Sequence, residues 1–232
     1  MNGSGQKSII SSGRTGRGIP STATGIELPH RSVSGVAGVL KRTVDVVVAA
    51  AALVALSPVL AAIIASIRVF NGYPAFYQQT RIGRGGREFT IFKLRTMPVG
   101  AEDGIGPVWS VRNDPRPTRL GALLRRTGFD ELPQLVNVLK GEMSLVGPRP
   151  ERPSFVQVFR QNHRDYDQRH AVRPGLTGYA QVHGWRGSTD LGERTKHDLY
   201  YVRAYSLGLD FYILALTLVR GWSERTTNGV AR

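Results

Sequence analysis

An uncharged stretch near the N-terminus constrains this chain more than any other feature of its sequence. No Asp, Glu, Lys or Arg occurs from Val46 to Ile67. A straight helix of that length covers roughly 33 Å, at about 1.5 Å per residue, which is enough to cross the hydrocarbon core of a bilayer. A buried core helix of a soluble protein is the alternative, but such helices are usually shorter and carry a polar face. The stretch therefore predicts a helix in contact with a membrane.

The middle and the flanks of this stretch argue against a simple crossing. Ser57 and Pro58 lie near its centre, where proline removes a backbone hydrogen bond and kinks a helix, and the serine hydroxyl is placed to satisfy a freed carbonyl. Basic residues flank both ends: Lys41, Arg42, Arg68, Arg81, Arg84 and Arg87. The positive-inside bias favours a cytoplasmic position for both flanks. We predict a re-entrant helix–break–helix hairpin over residues 44–68, with a spanning helix as the alternative.

The charge of the chain indicates an anionic partner. Lys and Arg number 31 against 17 Asp and Glu, which gives a formal charge of +14 and a pI near 10.8. Nucleic acid, an anionic membrane surface and a phosphorylated substrate all fit this charge. Against nucleic acid, the sequence has no aromatic-rich RNA-binding strand, zinc finger or basic heptad region. Cysteine is absent, and this excludes disulfides and thiolate metal sites.

The chain divides into a tail, a single catalytic unit and a short end. Residues 1–38 are rich in Ser, Gly and Arg, and they predict a disordered basic tail without a signal peptide. Residues 39–222 predict one α+β domain, mainly helical, that includes the membrane hairpin, and residues 223–232 predict a second tail. Within the domain, Leu207 to Trp222 is another apolar stretch. It fits an interfacial helix with aromatic rings at headgroup level and a C-terminal core helix equally well.

The soluble part begins with a β-hairpin and continues through short helices and rigid loops. Ala75–Gln79 and Glu88–Arg95 predict the two strands, and Gly83–Gly86 predicts the turn. Alternation in the second strand places Lys93 and Arg95 on one face, where they suit an anionic ligand. Further arginines follow on a basic helix, Arg119–Thr127, and on three rigid loops, Gly147–Pro150, Arg173–Gly178 and Gly184–Gly187.

Two adjacent carboxylates, Asp130 and Glu131, precede a predicted helix that runs to Lys140. Pro133 suits a first helical turn and Gly141 suits the residue after the helix, so the pair is expected at the helix N-terminus. Carboxylates at this place are common helix caps. They also suit chemistry, because one can act as nucleophile or base while the other binds a metal ion, and a helix N-terminus favours a bound phosphate.

This combination of carboxylates and cations suits phosphoryl transfer. Such a reaction needs positioning and charge neutralisation, usually with Mg²⁺ on the phosphate oxygens, and an attacking aspartate forms a reactive acyl phosphate. Four histidines have no zinc-type spacing and predict structural or solvated side chains: His163, His170, His183 and His197. A membrane-bound phosphohydrolase with the same carboxylates, and a basic protein that binds membranes or nucleic acid without catalysis, are the alternatives.

Taken together, these motifs resemble one protein family. The chain is similar to the bacterial sugar transferases, which are monotopic polyprenol phosphate phosphoglycosyl transferases. Six segments carry the resemblance, in order and without large gaps over residues 40–222: Lys41–Asp45, Ser57–Pro58, Phe92–Met97, Asp130–Leu135, Gly141–Pro150 and Arg173–Gly178. Gly128-Phe129 and Leu94 depart from the usual pattern, and neither is expected to touch the chemistry.

The resemblance implies a catalytic domain on the cytoplasmic face of the bacterial inner membrane and a two-step reaction. Asp130 would attack the β-phosphate of a UDP-sugar and release UMP, and undecaprenyl phosphate would then accept the sugar phosphate. Glu131 would help to bind Mg²⁺, with Asp130 beside it. Substrate contacts are implied for Lys93, Arg125 and Arg149, and from the C-terminal motifs for Arg186 and Asp198.

The segment 179–187 bears on the sugar. It is closest to family members that initiate exopolysaccharide or capsule chains, often with hexoses. The resemblance therefore implies transfer of glucose 1-phosphate or galactose 1-phosphate as the first membrane step of such a synthesis. It leaves the oligomeric state open, a homo-oligomer included.

Overall fold

The computed structural model describes residues 35–72, 74–109 and 114–227, with side chains up to residue 219. The fold is mixed α+β and mainly helical, as predicted. Its elements are α1 (Val36–Asn71), β1 (Phe76–Ile82), β2 (Glu88–Leu94), α2 (Arg119–Thr127), α3 (Gln134–Lys140), β3 (Ser144–Val146), α4 (Pro153–Asn162), β4 (Gly175–Thr177), α5 (Tyr179–Val182), α6 (Leu191–Ala204) and α7 (Leu207–Thr227). Of the predicted tails, residues 1–34 and 228–232 lie outside the described residues. Residues 36–38 of the first tail belong to α1, and residues 223–227 of the second belong to α7.

Two small sheets of two strands each lie among the helices. β1 pairs with β2 in antiparallel fashion, and β3 pairs with β4 in parallel. The predicted hairpin is confirmed, but its first strand continues beyond Gln79 to Ile82, which pairs with Glu88. The turn between the strands needs its glycines, because Gly85 and Gly86 have φ of 66° and 74°. In this pairing, Lys93 of β2 lies opposite Tyr77 of β1.

Helix α1 is continuous through the proline that was predicted to break it. Pro58 has no N–H to donate to Val54 O, the carbonyl four residues earlier. The Ser57 hydroxyl donates to this carbonyl instead, at 2.8 Å. The predicted role of Ser57 is therefore confirmed, whereas the predicted break into two helices is not seen, since α1 is helical from Val36 to Asn71. One missing bond with a local substitute does not end a helix.

Both ends of α1 are attached to the rest of the domain. Near its start, the Arg42 guanidinium donates to the carbonyls of Val138 (2.6 Å) and Leu139 (2.9 Å) at the end of α3. At its last residue, Asn71 Nδ2 donates to Thr118 Oγ1 at 3.4 Å. Among the described residues, α1 is the helix that is long and apolar enough to cross a membrane, and little of its most apolar part is buried.

Helix α7 has features of both alternatives that its sequence left open, a core helix and an interfacial helix. Ile213 is fully buried in the main hydrophobic cluster, beside core residues of α3 and β3. On the outer side, Phe211 and Tyr212 are about half exposed, at 57% and 50%. The helix is therefore a core element on one side and presents an apolar, aromatic surface on the other.

A buried group of charges joins the start of α1 to α7 and β3. Lys41 Nζ lies 3.2 Å from Asp45 Oδ1 and 2.9 Å from Asp210 Oδ2. The backbone N–H of Leu145 donates to Asp45 Oδ1, and the Tyr201 hydroxyl donates to Asp210 Oδ1 at 2.8 Å. All three charged side chains are less than 10% exposed. Because buried charges are tolerated only when they are paired, this group specifies how α1 docks.

Replacement of Lys41 by Met should destabilise the domain strongly. The change leaves the carboxylates of Asp45 and Asp210 buried without their cation, which typically costs about 3–5 kcal/mol. Thermal unfolding followed by circular dichroism in detergent measures the loss. The matched control is Lys196→Met, which removes an exposed lysine paired with Glu193 and should leave the unfolding temperature unchanged. Equal unfolding temperatures for both variants would contradict the importance of the buried group.

Candidate active site

The carboxylate pair lies in a tight turn between α2 and α3. Gly128 ends α2 in the left-handed conformation, with φ of 78°, and a single 3₁₀ turn follows over Phe129–Glu131. Helix α3 begins only at Gln134, after Pro133, and neither the turn nor α3 has a side-chain capping bond. Helix α3 therefore begins later than predicted, and the carboxylates lie in the 3₁₀ turn that leads into it. The reversal at Gly128 leaves room for one 3₁₀ turn, and the carboxylates are free for other contacts.

Glu131 is held between two cations from different parts of the chain. Lys93 Nζ, on β2, donates to Glu131 Oε1 at 2.9 Å. The Arg149 guanidinium, on the loop after β3, donates to Oε1 at 2.5 Å and to Oε2 at 3.2 Å. This fork-like approach of arginine to a carboxylate is strong and directional. The structure thus brings together Glu131, Lys93 and Arg149, three of the residues that the sequence predicts for the site.

The neighbouring carboxyl, Asp130, is buried but unpaired. It is 7% exposed. Among the described residues, no hydrogen bond or ion pair to its carboxylate is found within bonding distance. Three cations still act on it through space, those of Lys93, Arg125 and Arg149. Asp130 is therefore the carboxylate of the pair that can engage a ligand without first losing a protein partner.

The two carboxyls differ in their pKa. Burial, with the adjacent charge of Glu131, raises the pKa of Asp130 to about 6, against the opposing effect of the nearby cations. Burial alone would also raise the pKa of Glu131, but the charges of Arg149 and Lys93 outweigh it and hold this pKa well below its usual range. Two adjacent acids with separated pKa values are typical of sites in which each has its own task.

Arg125 reaches the site from the last turn of α2. Its Nε donates to Thr96 Oγ1 at 2.9 Å, and its Nη1 lies 3.7 Å from Asp114 Oδ2. Helix α2 can pack closely against Thr96, two residues after β2, because residue 121 is glycine. A Cβ at this position would lie 2.0 Å from Thr96 O. The Arg125 side chain is 42% exposed and carries a positive charge near Asp130. The contact of Arg125 with an anionic substrate stays a prediction.

The remaining predicted residues lie elsewhere. Asp198 is 3% exposed and its Oδ2 accepts two bonds from Arg169, so its carboxylate is already engaged. Arg186 lies in the loop after α5, where its N–H donates to Gly184 O, and its role in substrate binding stays a prediction. Arg95 turns back to the start of the hairpin and donates to Pro74 O at 2.9 Å.

Asn137 supports the site and was missed at the sequence level. Its side chain lies in α3 and is fully buried. The side-chain amide both donates to and accepts from the backbone of β2, as the backbone of a neighbouring strand does. Nδ2 donates to Thr90 O at 2.7 Å, and Oδ1 accepts from the N–H of Phe92 at 3.1 Å. This pairing fixes β2 against α3 and so sets Lys93 opposite Glu131. The one available signal was an amide between two valines in an apolar helix.

The sequence of this domain matches a known protein family. A family model described as bacterial sugar transferase matches residues 36–224. The chain belongs to the bacterial sugar transferase family. This confirms the resemblance drawn from the motifs, and it makes the clamped Glu131 and the unpaired Asp130 part of a bacterial sugar transferase domain.

Curated relatives agree with this family. A UDP-glucose:undecaprenyl-phosphate glucose-1-phosphate transferase of Escherichia coli (strain K12) is 42% identical over 204 residues, or 86% of this chain and 44% of the relative. One of the same name from Xanthomonas campestris pv. campestris is 43% identical over 192 residues, or 81% and 40%. The exopolysaccharide production protein PSS of Rhizobium leguminosarum bv. phaseoli is 41% identical over 188 residues, or 78% and 94%. The chain thus spans less than half of the first two relatives.

A magnesium ion fits this sugar transferase site only together with a substrate. In the described part of the chain, no group of three or more His, Cys, Asp or Glu side chains is arranged to hold a metal. Mg²⁺ often needs only one or two carboxylates when phosphate oxygens and water complete its shell. Asp130 is unpaired, and Glu131 Oε2 accepts a single bond, so each retains an oxygen lone pair for a cation.

Asp130→Asn should stabilise the fold at high pH and leave it unchanged at low pH. A carboxyl whose folded pKa is raised costs no stability below about pH 4, where both states are protonated. The cost grows from about pH 4 to pH 6, because the unfolded chain ionises first, and is complete above about pH 6. A rise from 3.8 to about 6 corresponds to roughly 3 kcal/mol at most. Thermal unfolding at pH 8 and pH 4 checks the difference.

The companion variant Glu131→Gln serves as a control of opposite sign. The folded pKa of Glu131 is held low by Arg149 and Lys93, so its charge stabilises the fold above its unfolded pKa. The amide should therefore lower the unfolding temperature at pH 8. Destabilisation by Asp130→Asn at pH 8 would contradict the unpaired, raised-pKa state of Asp130.

Proposed function

We propose that this chain transfers a hexose 1-phosphate, glucose 1-phosphate in the first instance, from a UDP-sugar to undecaprenyl phosphate. The observation that carries the proposal is the separation of the two adjacent carboxyls. Asp130 is unpaired with a raised pKa, and Glu131 is fixed between Lys93 and Arg149. One acid is thus available to react while its neighbour organises positive charge, which is what transfer of a phosphoryl group requires.

The proposed reaction proceeds through a covalent intermediate on Asp130. A carboxylate oxygen attacks the β-phosphorus of the UDP-sugar, and an O–P bond forms. The bond from this phosphorus to the oxygen that bridges the two phosphates breaks, and UMP leaves with that oxygen. A phosphate oxygen of undecaprenyl phosphate then attacks the same phosphorus. The Asp130 carboxylate is released unchanged, and the product is an undecaprenyl diphosphate sugar.

Positive charge around Asp130 makes the attack feasible. Lys93, Arg125 and Arg149 all act on this carboxylate, and each can neutralise a phosphate oxygen as the negative groups approach one another. When bound, Mg²⁺ would supply additional neutralisation of the diphosphate charge. A carboxyl with a pKa of about 6 is still mostly ionised at neutral pH, and it is more basic than an ordinary aspartate. Transfer should therefore fail below about pH 6.

The names of the relatives support the choice of substrates. Two relatives are named for transfer of glucose 1-phosphate from UDP-glucose to undecaprenyl phosphate, and a third is named for exopolysaccharide production. We therefore take UDP-glucose as the donor and the first membrane step of an exopolysaccharide as the role. Other UDP-hexoses are outcomes of the specificity test below.

We also propose that both ends of α1 lie on the cytoplasmic side of the inner membrane. The contacts of Arg42 with α3 and of Asn71 with Thr118 attach the two ends to one domain. A spanning helix would place some 30 Å of hydrocarbon between these contacts. Exposed apolar side chains on α1, such as Val47 and Val54, would then face lipid. The proposed arrangement of α1 is therefore monotopic.

The decisive experiment traps the intermediate. Purified protein is incubated with UDP-glucose without lipid acceptor, and mass spectrometry should find a hexose phosphate on the peptide that contains Asp130, with release of UMP. Asp130→Asn should abolish both signals, while the exposed control Asp165→Asn retains them. Turnover without any adduct would remove the proposed nucleophile and favour direct transfer.

The same assay separates transfer from hydrolysis and defines the sugar. With undecaprenyl phosphate present, UMP release should rise, and the sugar phosphate should appear on the lipid. A phosphohydrolase would release free sugar phosphate whether or not the lipid is present. Comparison of UDP-glucose, UDP-galactose and their N-acetylated forms then gives the preferred donor.

A cysteine-labelling experiment tests the topology. The chain has no cysteine, so single cysteines can be introduced without background. Val39 and Val69 flank the apolar part of α1 and are 68% and 76% exposed. In spheroplasts, a membrane-impermeant maleimide should label neither Val39→Cys nor Val69→Cys, and after lysis it should label both. Labelling of one position alone before lysis would establish a spanning helix.

A further inference from the structure

The loop that carries Arg149 is held at four consecutive backbone carbonyls. Two backbone amides donate to the loop: Gly175 N to Pro148 O at 3.0 Å and Ile82 N to Glu151 O at 2.9 Å. Two arginine side chains donate to the carbonyls between them: Arg169 Nη2 to Arg149 O at 2.8 Å and Arg81 Nη1 to Pro150 O at 3.1 Å. The donors come from β1, from β4 and from Arg169 in a 3₁₀ turn, Tyr166–Ala171, that precedes β4. A loop without regular structure is usually mobile, so this degree of restraint indicates a demand on the position of Arg149.

Arg169 supplies the charged member of this set. It is 2% exposed, and its three nitrogens are all engaged. Nε and Nη2 donate to Asp198 Oδ2 at 3.0 and 2.6 Å, and Nη1 donates to the Tyr166 hydroxyl at 3.0 Å. Nη2 also donates to Arg149 O. The planar guanidinium is thereby fixed in orientation by Asp198 and Tyr166, and it presents one N–H to the loop.

We propose that Arg169 and Asp198 are positioning residues for Arg149. This inference rests on the proposed function, in which Arg149 meets both Glu131 and the substrate phosphate. Neither Arg169 nor Asp198 is accessible to a substrate, since both are buried and paired with one another. They act on Arg149 through its backbone carbonyl. The position of this carbonyl determines where the Arg149 side chain starts and so how its guanidinium meets Glu131. Displacement of such a group by about 1 Å can cost on the order of 100-fold in rate.

The proposal changes the role that the family resemblance implied for Asp198. A residue that bound substrate would need a carboxylate oxygen directed at the site. The Asp198 carboxylate is instead directed at Arg169, and it lies on α6, whereas Asp130 lies before α3. Asp198 therefore acts on the reaction indirectly. Its carboxylate orients Arg169, and Arg169 holds the backbone carbonyl of Arg149.

A double-mutant cycle tests this route. Arg169→Lys and Asp198→Asn are each made in the native chain and in an Arg149→Lys background, and kcat and KM for UMP release are measured. Lysine keeps the charge at 169 but cannot bond both Asp198 and the loop. Each single variant should lower kcat/KM by about 10-fold or more, and in the Arg149→Lys background by about 2-fold or less, because coupled residues are not additive.

A role in stability alone would give the opposite result. In that case Arg169→Lys and Asp198→Asn would cause the same loss in both backgrounds, and this outcome overturns the proposal. Arg160→Lys is the matched control, because Arg160 pairs with Asp167 at 2.5 Å and holds none of the four carbonyls. It should change kcat/KM by less than about 2-fold in either background.

Hydrogen exchange gives a readout that needs no turnover. In Asp198→Asn, which is nearly isosteric and the less disruptive of the two variants, the amides of Gly175 and Ile82, which donate to Pro148 O and Glu151 O of the loop, should exchange faster than in the native chain. Unchanged exchange there overturns the proposal even if the Arg149→Lys background is inactive. Failure of the proposed function would appear separately, as absence of UMP release by the native chain.

Discussion

One carboxylate between two cations is the contact on which the site depends. Glu131 draws Lys93 from β2 and Arg149 from the loop after β3 to a turn that is distant from both in sequence. A partly buried charge is stable only when its partners are complete, so the hairpin, the turn and the loop must all be in place together. The same contact separates the two carboxyls, because it keeps Glu131 ionised beside an Asp130 that titrates near pH 6.

Local signals in the sequence predicted much of the framework. The helix Arg119–Thr127 and the end of the next helix at Gly141 were predicted correctly, because glycine ends helices through a backbone conformation that other residues avoid. The hairpin followed from its glycine turn. The start of α3 was wrong, because Asp130, Glu131 and Pro133 fit a helix N-terminus by composition. The left-handed Gly128 just before them imposed a 3₁₀ turn instead.

Contacts between distant residues were beyond prediction from a single sequence. Asp198 was predicted for the site because it belongs to a family motif, and in the structure its carboxylate is paired with Arg169. Asn137 and Asp210 gave a weaker signal, since each is polar within an apolar helix. Such a residue indicates a buried partner but not which one, because the partner is brought near only by the complete fold. The motifs therefore identified Asp130 and Glu131, and the structure was needed to find what holds them.

The buried charges of α1 have a consequence for the order in which the chain is made. Lys41 is synthesised before Asp210 and meets Asp45 on the next turn of its own helix. Asp210, which completes the group, lies in α7 and is added after all the other described elements. Until then α1 can meet the bilayer but cannot reach its final seat on the domain. Ribosome-bound intermediates that lack α7 should therefore be anchored at the membrane yet incompletely folded.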